Sequence, residues 1–378
     1  MNVSVVATGH TQFGKDPRGI GDIMIDACNQ ALETVPMDEI DAIYISNFSS
    51  SFANQCHLPS VLASKIKVNK EITRVESACA SGGVAFKEAA IAIRSGLYNN
   101  VLVLGVEKMT TTPINHSTRI IARAASQEEM DHGATFPSLY ALMAQRHFFE
   151  YGTTEEHLAK IAVKNHNNAL NNSNAQFHKK ITIEDVMLSK YVATPLKVYD
   201  CSPITDGAAA LVLSSKEKSS EFTDKPIHLI GIGHDVRGIE LYKRKNLTSI
   251  PAVGFAAQKA YQMSGLSSQD IEFAEVHDCF TIAELIQIED LRLCNKGDGK
   301  KLIENGETEI GGRIPINPSG GLKAKGHPIG ATGISQVVET VTQLQENSGK
   351  NQISNANVGL CCNIGGTGGT AVVSIFSR

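Results

Sequence analysis

The sequence predicts an α/β protein of layered sheets and helices, made of two similar halves with an insertion between them. Three observations predict it. Along the 378 residues, apolar runs rich in Val and Ile alternate with helical patterns, as strands and helices packed in layers require. A strand ending in a Gly-His turn occurs twice, as VSVVATGHTQFG at 3–14 and as IHLIGIGHDVRG at 227–238. The same succession of elements follows each copy, and a polar, helix-patterned stretch from about 110 to 225 lies between them.

The elements follow in order. In the first half, Val3 to Ala7 begins a strand, 23–34 reads as a helix, and MDEIDAIYI at 37–45 as an acidic turn entering a strand. In the second half the strand at 227 is followed by a helix over 256–265 and by SQDIEFAEV at 268–276. The offset of roughly 225–230 residues is too long for a solenoid repeat and suits a duplicated domain. The predicted division is 1–110 plus about 200–225 for the first half, 111–199 for the inserted domain and 226–378 for the second half. The insertion is expected to lie over the sheet edges, with its Asn-rich stretch 164–174 as a helix end and solvated loop. It closes on Asp200-Cys201-Ser202-Pro203, after which Ala208 to Ser214 reads as a buried strand.

Composition narrows the function. Hydrophobic residues make up 42% and charged residues 20%, an ordinary globular balance. The net charge of −4 gives no electrostatic reason for nucleic acid or an anionic membrane as partner. No apolar run reaches the ~18 residues of a membrane span. Neither the first residues nor Ile375-Phe376-Ser377-Arg378 carry a targeting pattern, so a cytoplasmic address is expected. In such a chain the eight cysteines read as reduced residues and not as a disulfide framework.

Four clusters carry chemistry. In the first, Glu76-Ser77-Ala78-Cys79-Ala80-Ser81-Gly82-Gly83, a strand runs in and a helix leaves. Cys79 falls at the helix N-terminus, whose partial positive charge favours thiolate, and its small neighbours leave room for a substrate. A core cysteine at a tight junction would look the same. The second, His277-Asp278-Cys279-Phe280-Thr281, offers acid–base groups at a strand end. Zinc there would need a second ligand pair, and the adjacent Cys361-Cys362 are poor chelators of one ion, so no metal is expected. The third runs from Asn317 to Gly333 and fixes His327 between Gly326 and Pro328 in a glycine-dense loop, a place suited to a base that activates a thiol. It lacks the spacing of a phosphate-binding P-loop. The fourth, Cys361-Cys362-Asn363-Ile364-Gly365-Gly366-Thr367-Gly368-Gly369, has no long helix after it, which argues against a dinucleotide site. A glycine turn presenting N–H groups suits an oxyanion hole. A nucleophile, two histidines, a second cysteine and N–H-rich loops form the set needed for acyl transfer without a cofactor.

In their order, these motifs resemble those of the thiolases, within them the sterol-carrier-type and archaeal acetoacetyl-CoA branch, over essentially the whole chain. The resemblance implies two βαβαβαββ halves in an αβαβα stack, each with a five-stranded sheet, plus an inserted loop domain. It implies that Cys79 holds the acyl group as a thioester, that His327 takes the thiol proton, and that backbone N–H groups of Cys79 and Gly365 hold the oxyanion. His277 stands where other thiolases have an asparagine that polarises the enolate-forming thioester. The usual acid–base cysteine before the last glycine turn is replaced by Asn363, with Cys362 one position early. In the branch with His-Asp-Cys-Phe the cysteine of that motif takes over, which assigns the α-proton to Cys279 and leaves Cys362 as rival.

The reaction expected is 2 acetyl-CoA ⇌ acetoacetyl-CoA + CoA, with CoA thioesters as substrates and no cofactor. The resemblance implies that CoA meets the insertion and the segment with Arg237, Lys243, Arg244 and Lys245, which reads equally as a solvated basic loop, with Pro251, Ala252 and Phe280 along the pantetheine channel. Rival readings are a degradative 3-ketoacyl-CoA thiolase of broader chain length, a related condensing synthase, and a non-catalytic lipid- or acyl-binding homologue. The resemblance also implies a dimer or dimer of dimers and, as in archaeal relatives, association with a hydroxymethylglutaryl-CoA synthase through a small bridging protein.

Overall fold

The computed structural model describes residues 2–378. The Val/Ile runs form β1 (Val3–His10), β2 (Ala42–Ser46), β3 (Glu71–Val75), β4 (Asn100–Lys108), β5 (Tyr191–Ala193), β6 (Leu196–Lys197), β7 (Asp206–Ser215), β8 (Ile227–Val236), β9 (Phe273–Glu275), β10 (Val358–Gly365) and β11 (Thr370–Ser377). All but β5 and β6 join one sheet in the order β3-β2-β4-β7-β1-β8-β11-β10-β9. β4 is buried at every residue, as a strand covered on both faces must be. The two halves meet where Ser4 pairs with His228 and Val5 with Ile227, a short seam between two otherwise separate strand sets.

Helices complete five layers. Ile20–Leu32 covers β1, β4 and β7 on one outside, and Pro251–Ser264 covers β8 and β11 on the other. Between the strand sets lie Ser81–Arg94 and Ile329–Leu344, one from each half. They pack backbone to backbone: a Cβ on Gly82 would sit 2.8 Å from the Gly333 Cα. The two outer helices start earlier than the pattern suggested. For the second the cause is Pro251 at its first turn, where a missing N–H costs nothing.

Two expectations need correction. The second half supplies four strands and not five. Where a fifth would run beside β9 there is only an isolated bridge, Ala274 to Ile316, flanked by Pro315, which cannot donate to a ladder. The insertion adds no strand to the large sheet; β5 and β6 pair with each other. It lies beside the β9 edge, where Lys164 Nζ and Asn168 Nδ2 donate to the Ile316 and Asn317 carbonyls at 2.8 and 3.0 Å. Its helices Phe136–Tyr151 and Glu155–Ala169 pack on helices of the second half and on the loop Gly321–Lys325. Part of the Asn-rich stretch is therefore buried, with Asn165 fully enclosed. Among the described residues no helix is long and apolar enough to cross a membrane.

Candidate active site

The Cys79 turn is held by main chain. Ala78 sits in the left-handed region at φ 50, a strained geometry for a residue with a side chain. It is fixed from both sides: the Ser81 hydroxyl accepts from the Ser77 N–H at 2.8 Å and donates to the Ala78 carbonyl at 2.5 Å. The helix Ser81–Arg94 begins two residues after Cys79, so the sulfur lies at its N-terminal end. The thiol accepts hydrogen bonds from its own backbone N–H and from that of Gly366. These donors do not make a resting thiolate. Burial outweighs them and pushes the thiol up to about 11, reversing the sequence expectation.

The N–H facing Cys79 belongs to Gly366 and not to Gly365. Gly365 still pairs with Thr370 in the β10–β11 ladder, whereas Gly366 opens the turn at φ +63. Strand alternation also separates the fourth cluster's side chains. Cys361 and Asn363 face the central helices, where Asn363 meets Gly83 and Cys361 meets Thr340. Cys362 and Ile364 face the other way, into the core under the outer helix layer. A cysteine one position early is thus on the wrong face of the strand. Asn363 does reach the site. Its Oδ1 accepts from the Gly83 N–H at 3.0 Å, which fixes Nδ2 as the atom donating to the Cys79 carbonyl at 3.2 Å and to His277 Nδ1 at 3.0 Å.

That donation sets the His277 tautomer. With Nδ1 accepting, the neutral ring carries its proton on Nε2 and presents a donor. His327 is the opposite. The Thr332 hydroxyl donates to the Pro328 carbonyl at 3.0 Å and can only accept from His327 Nδ1 at 2.7 Å. The proton is on Nδ1, and Nε2 is a free base. Burial keeps both rings neutral, His327 falling to about 3 and His277 well below the ordinary imidazole value. The rings stand edge to face with centroids 5.0 Å apart, and each offers a nitrogen within 4.8 Å of the other and of the Cys79 sulfur. Three such groups could in principle ligate a metal. In this hydrogen-bond pattern His277 has no free lone pair to give one.

Cys279 follows β9 and precedes the helix Thr281–Asp290. Burial raises its thiol well above the usual cysteine range. Its neighbours in the motif hold the frame. Gln287 clamps the His277 backbone at both N–H and C=O, at 3.0 and 2.8 Å. Asp278 accepts from the N–H groups of Leu322 and Lys323 and from Asn165 Nδ2, so it ties the motif to the loop that carries His327. Gly321 is required there: a Cβ would lie 2.4 Å from the Asp278 carboxylate. The Tyr140 O–H donates to the Gly366 carbonyl at 3.0 Å, and its ring stacks on Phe280, the residue after Cys279, with centroids 4.6 Å apart.

A cavity of about 470 Å³ has Cys79, Cys279, His327, Phe280, Lys323 and Gly366 in its wall among others, with His277 edge to face against His327 behind it. The insertion lines it, as expected, through Phe136, Phe177, Val192 and Tyr199; of the individual residues expected to meet CoA, Phe280 alone does so. Arg237 is paired with Asp235 and stacked on Phe255, and Lys243 is paired with Glu240. Lys245 is exposed and lies off the cavity wall. Arg244 turns inward to Thr367, and Pro251 and Ala252 open a helix against the core. Sequence reasoning missed Tyr140, Thr332, Gln287, Lys323 and Asn165. Only Thr332 and Lys323 lay inside a recognised cluster; the others come from the insertion or a helix interior, with no local signal.

Residues 3–217 match the family model described as thiolase, N-terminal domain, and residues 233–378 match thiolase C-terminal domain-like. The chain is 46% identical to an acetyl-CoA acetyltransferase of Methanothermobacter thermautotrophicus, covering 100% of both chains. It is 42% identical to an acetyl-CoA acetyltransferase of Methanocaldococcus jannaschii, covering 100% of this chain and 99% of the relative. A solved Ltp2-ChsH2(DUF35) aldolase superposes with a TM-score of 0.86 at 25% identity, covering 99% of this chain and 97% of that one.

Proposed function

The chain belongs to the thiolase family and has the thiolase fold, and on that premise we propose how its site condenses two acetyl-CoA to acetoacetyl-CoA and CoA. It is an acyltransferase. The observation that carries the reading is the meeting of the Cys79 sulfur with one free-base and one donor imidazole, beside a cavity whose wall carries Cys79, His327 and Cys279.

The protonation states give the steps. His327 Nε2 takes the Cys79 proton as the sulfur attacks the acetyl-CoA carbonyl, with the Cys79 and Gly366 N–H groups at the developing oxyanion. The tetrahedral intermediate expels CoA thiolate. Cys279, still protonated because burial raises its pKa, gives that thiolate its proton and becomes the base. A second acetyl-CoA then loses an α-proton to the Cys279 thiolate while its carbonyl accepts from His277 Nε2–H. The enolate attacks acetyl-Cys79, and collapse returns the Cys79 thiolate, which recovers its proton from His327. Every proton is restored, and no metal or redox cofactor is needed.

The proposal extends to a homo-oligomer, to association with a hydroxymethylglutaryl-CoA synthase, and to a cytoplasmic setting, where the free thiols the chemistry needs persist. The test is thiolysis and condensation across acyl-CoA lengths, with Cys79→Ala and Cys279→Ala as controls. Activity centred on the four-carbon substrate, lost in both variants, supports the reading. Preference for long 3-ketoacyl-CoA would move it to a degradative thiolase. Absence of an acetyl adduct on Cys79 would make the protein a binding homologue.

A further inference from the structure

We propose that Asn363 is a positioning residue that keeps zinc-like divalent cations out of the Cys79–His277–His327 cluster. By holding one tautomer of His277, it leaves a cation two ligands where three side chains stand ready. Without that hold the cluster is a metal site by composition. One thiol and two imidazoles, all buried, each bring a ligand atom within 4.8 Å of the others. Three such ligands with a fourth position open are what Zn²⁺ takes in many sites, and the same set suits Co²⁺. The inference goes beyond acyl transfer and does not depend on it.

The hold is built from hydrogen bonds. His327 is engaged by Thr332 through Nδ1 at 2.7 Å, so its Nε2 lone pair is open to a cation. His277 accepts from Asn363 Nδ2 through Nδ1 at 3.0 Å, so its Nε2 carries the proton and has no lone pair. To ligate, His277 must move that proton to Nδ1, where it would face the amide N–H with no acceptor between them. Turning the amide over brings no relief. Its Oδ1 accepts from the Gly83 N–H at 3.0 Å, and its Nδ2 also donates to the Cys79 carbonyl at 3.2 Å. A flip would set donor against donor at one end and acceptor against acceptor at the other, in a buried place where unpaired groups are costly. The amide is also seated closely: a Cβ on Gly333 would lie 2.5 Å from Oδ1. A histidine bound to a metal almost always donates its other N–H to a carboxylate, carbonyl or water. Position 363 presents a donor where that acceptor belongs.

Asn363→Asp puts an acceptor at that point with little change of shape. The probe is Zn²⁺ at buffered free concentrations. The measurement is protection of Cys79 from iodoacetamide at pH 8, followed by peptide mass. The expected result is a protection midpoint lower than the parent's by about 100-fold, the upper scale for an outer-shell partner of a metal ligand. Adding His277→Ala to Asn363→Asp should restore the parent's midpoint. A parent midpoint as low as the variant's, or a shift that survives the loss of His277, overturns the proposal. If Asn363→Asp does not fold, Asn363→Ala removes the amide donor alone and should lower the midpoint by about tenfold; an unchanged midpoint overturns the proposal. Co²⁺ gives an independent reading. A thiolate-to-cobalt absorption band should appear in the variant at concentrations where the parent shows none, and equal bands in both overturn the proposal. These titrations contain no acyl-CoA, so their failure leaves the condensation reading standing, and failure of condensation leaves the metal result standing.

Discussion

Cys79 and Cys279 are both buried cysteines between a strand and a helix, on the same cavity, yet their surroundings are of different kinds. Cys79 is held by its own main chain: a left-handed Ala78, a helix N-terminus and two backbone N–H groups. The Cys279 motif is held by groups from elsewhere in the chain, with Gln287 on the His277 backbone and Asn165 and the loop N–H groups on Asp278. Main-chain donors suit an oxyanion that forms at one fixed point. Where the thiolase duplication placed similar strand-to-helix junctions, the two halves met different demands with different materials.

The largest test of this contrast removes each sulfur in turn. Cys79→Ala should abolish acetyl adducts and reduce condensation on the order of 10⁴-fold or more, the scale for losing a nucleophile. Cys279→Ala should lose condensation comparably while Cys79 still acquires an acetyl group, read by intact mass after a pulse of acetyl-CoA. If Cys279→Ala also fails to acetylate, the two cysteines share one role and the contrast breaks.

The same contrast explains what the sequence disclosed. A main-chain site is written locally: Ser77 to Gly83 needs small residues, a serine to pin the turn and a helix behind, and all are contiguous. Strands and outer helices were legible for the same reason, since their periodicities are local. A side-chain site is assembled from a distance. Tyr140 lies in an ordinary amphipathic helix, and Asn165 in a stretch whose polarity suggested solvent, because nothing nearby reveals that Asp278 and Glu284 will enclose it. The missing fifth strand was hidden likewise, resting on a proline beside a single bridge. The N–H that reaches the resting Cys79 sulfur is one residue beyond the Gly365 that motif spacing suggested for the oxyanion, because strand register decides which group opens the turn.

A second test targets the link between the two cysteines. Asn363→Asp keeps an acceptor for the Gly83 N–H but loses the donor to His277 Nδ1. The carboxylate would pull the imidazole proton to Nδ1 and leave Nε2 bare toward the substrate. Losing one oxyanion donor costs on the order of 10²- to 10³-fold in kcat, and that is the fall expected for condensation, with stability by urea unfolding reported alongside. An active Asn363→Asp would mean that His277 does not donate to the carbonyl.

A third test concerns resting charge. With the Cys79 thiol at about 11 and His327 at about 3, the pair is neutral across the physiological range. The thiol pKa is raised, so the thiolate is a minor form that grows tenfold per pH unit below that value. Iodoacetamide inactivation should therefore climb steadily from pH 7 to 10. A plateau below pH 8 would reveal a thiolate–imidazolium pair and show that the helix N-terminus outweighs burial after all.

The smallest effect expected is at Cys362, and it decides whether the second cysteine has been identified on geometry or on family habit. Cys362 is fully buried, and its side chain sits among the apolar residues under the outer helices, on the face of β10 opposite Asn363. Removing its sulfur leaves a small apolar void, and Cys362 is not itself part of the cavity wall. Cys362→Ala should cost about 1 kcal/mol in urea unfolding, the scale of deleting one buried heavy atom, with condensation kcat within about twofold of the parent. A larger loss of activity at full stability would require the strand to slip by one residue. That slip would turn Asn363 away from His277 and Gly83, so it would also erase the tautomer on which the His277 role depends.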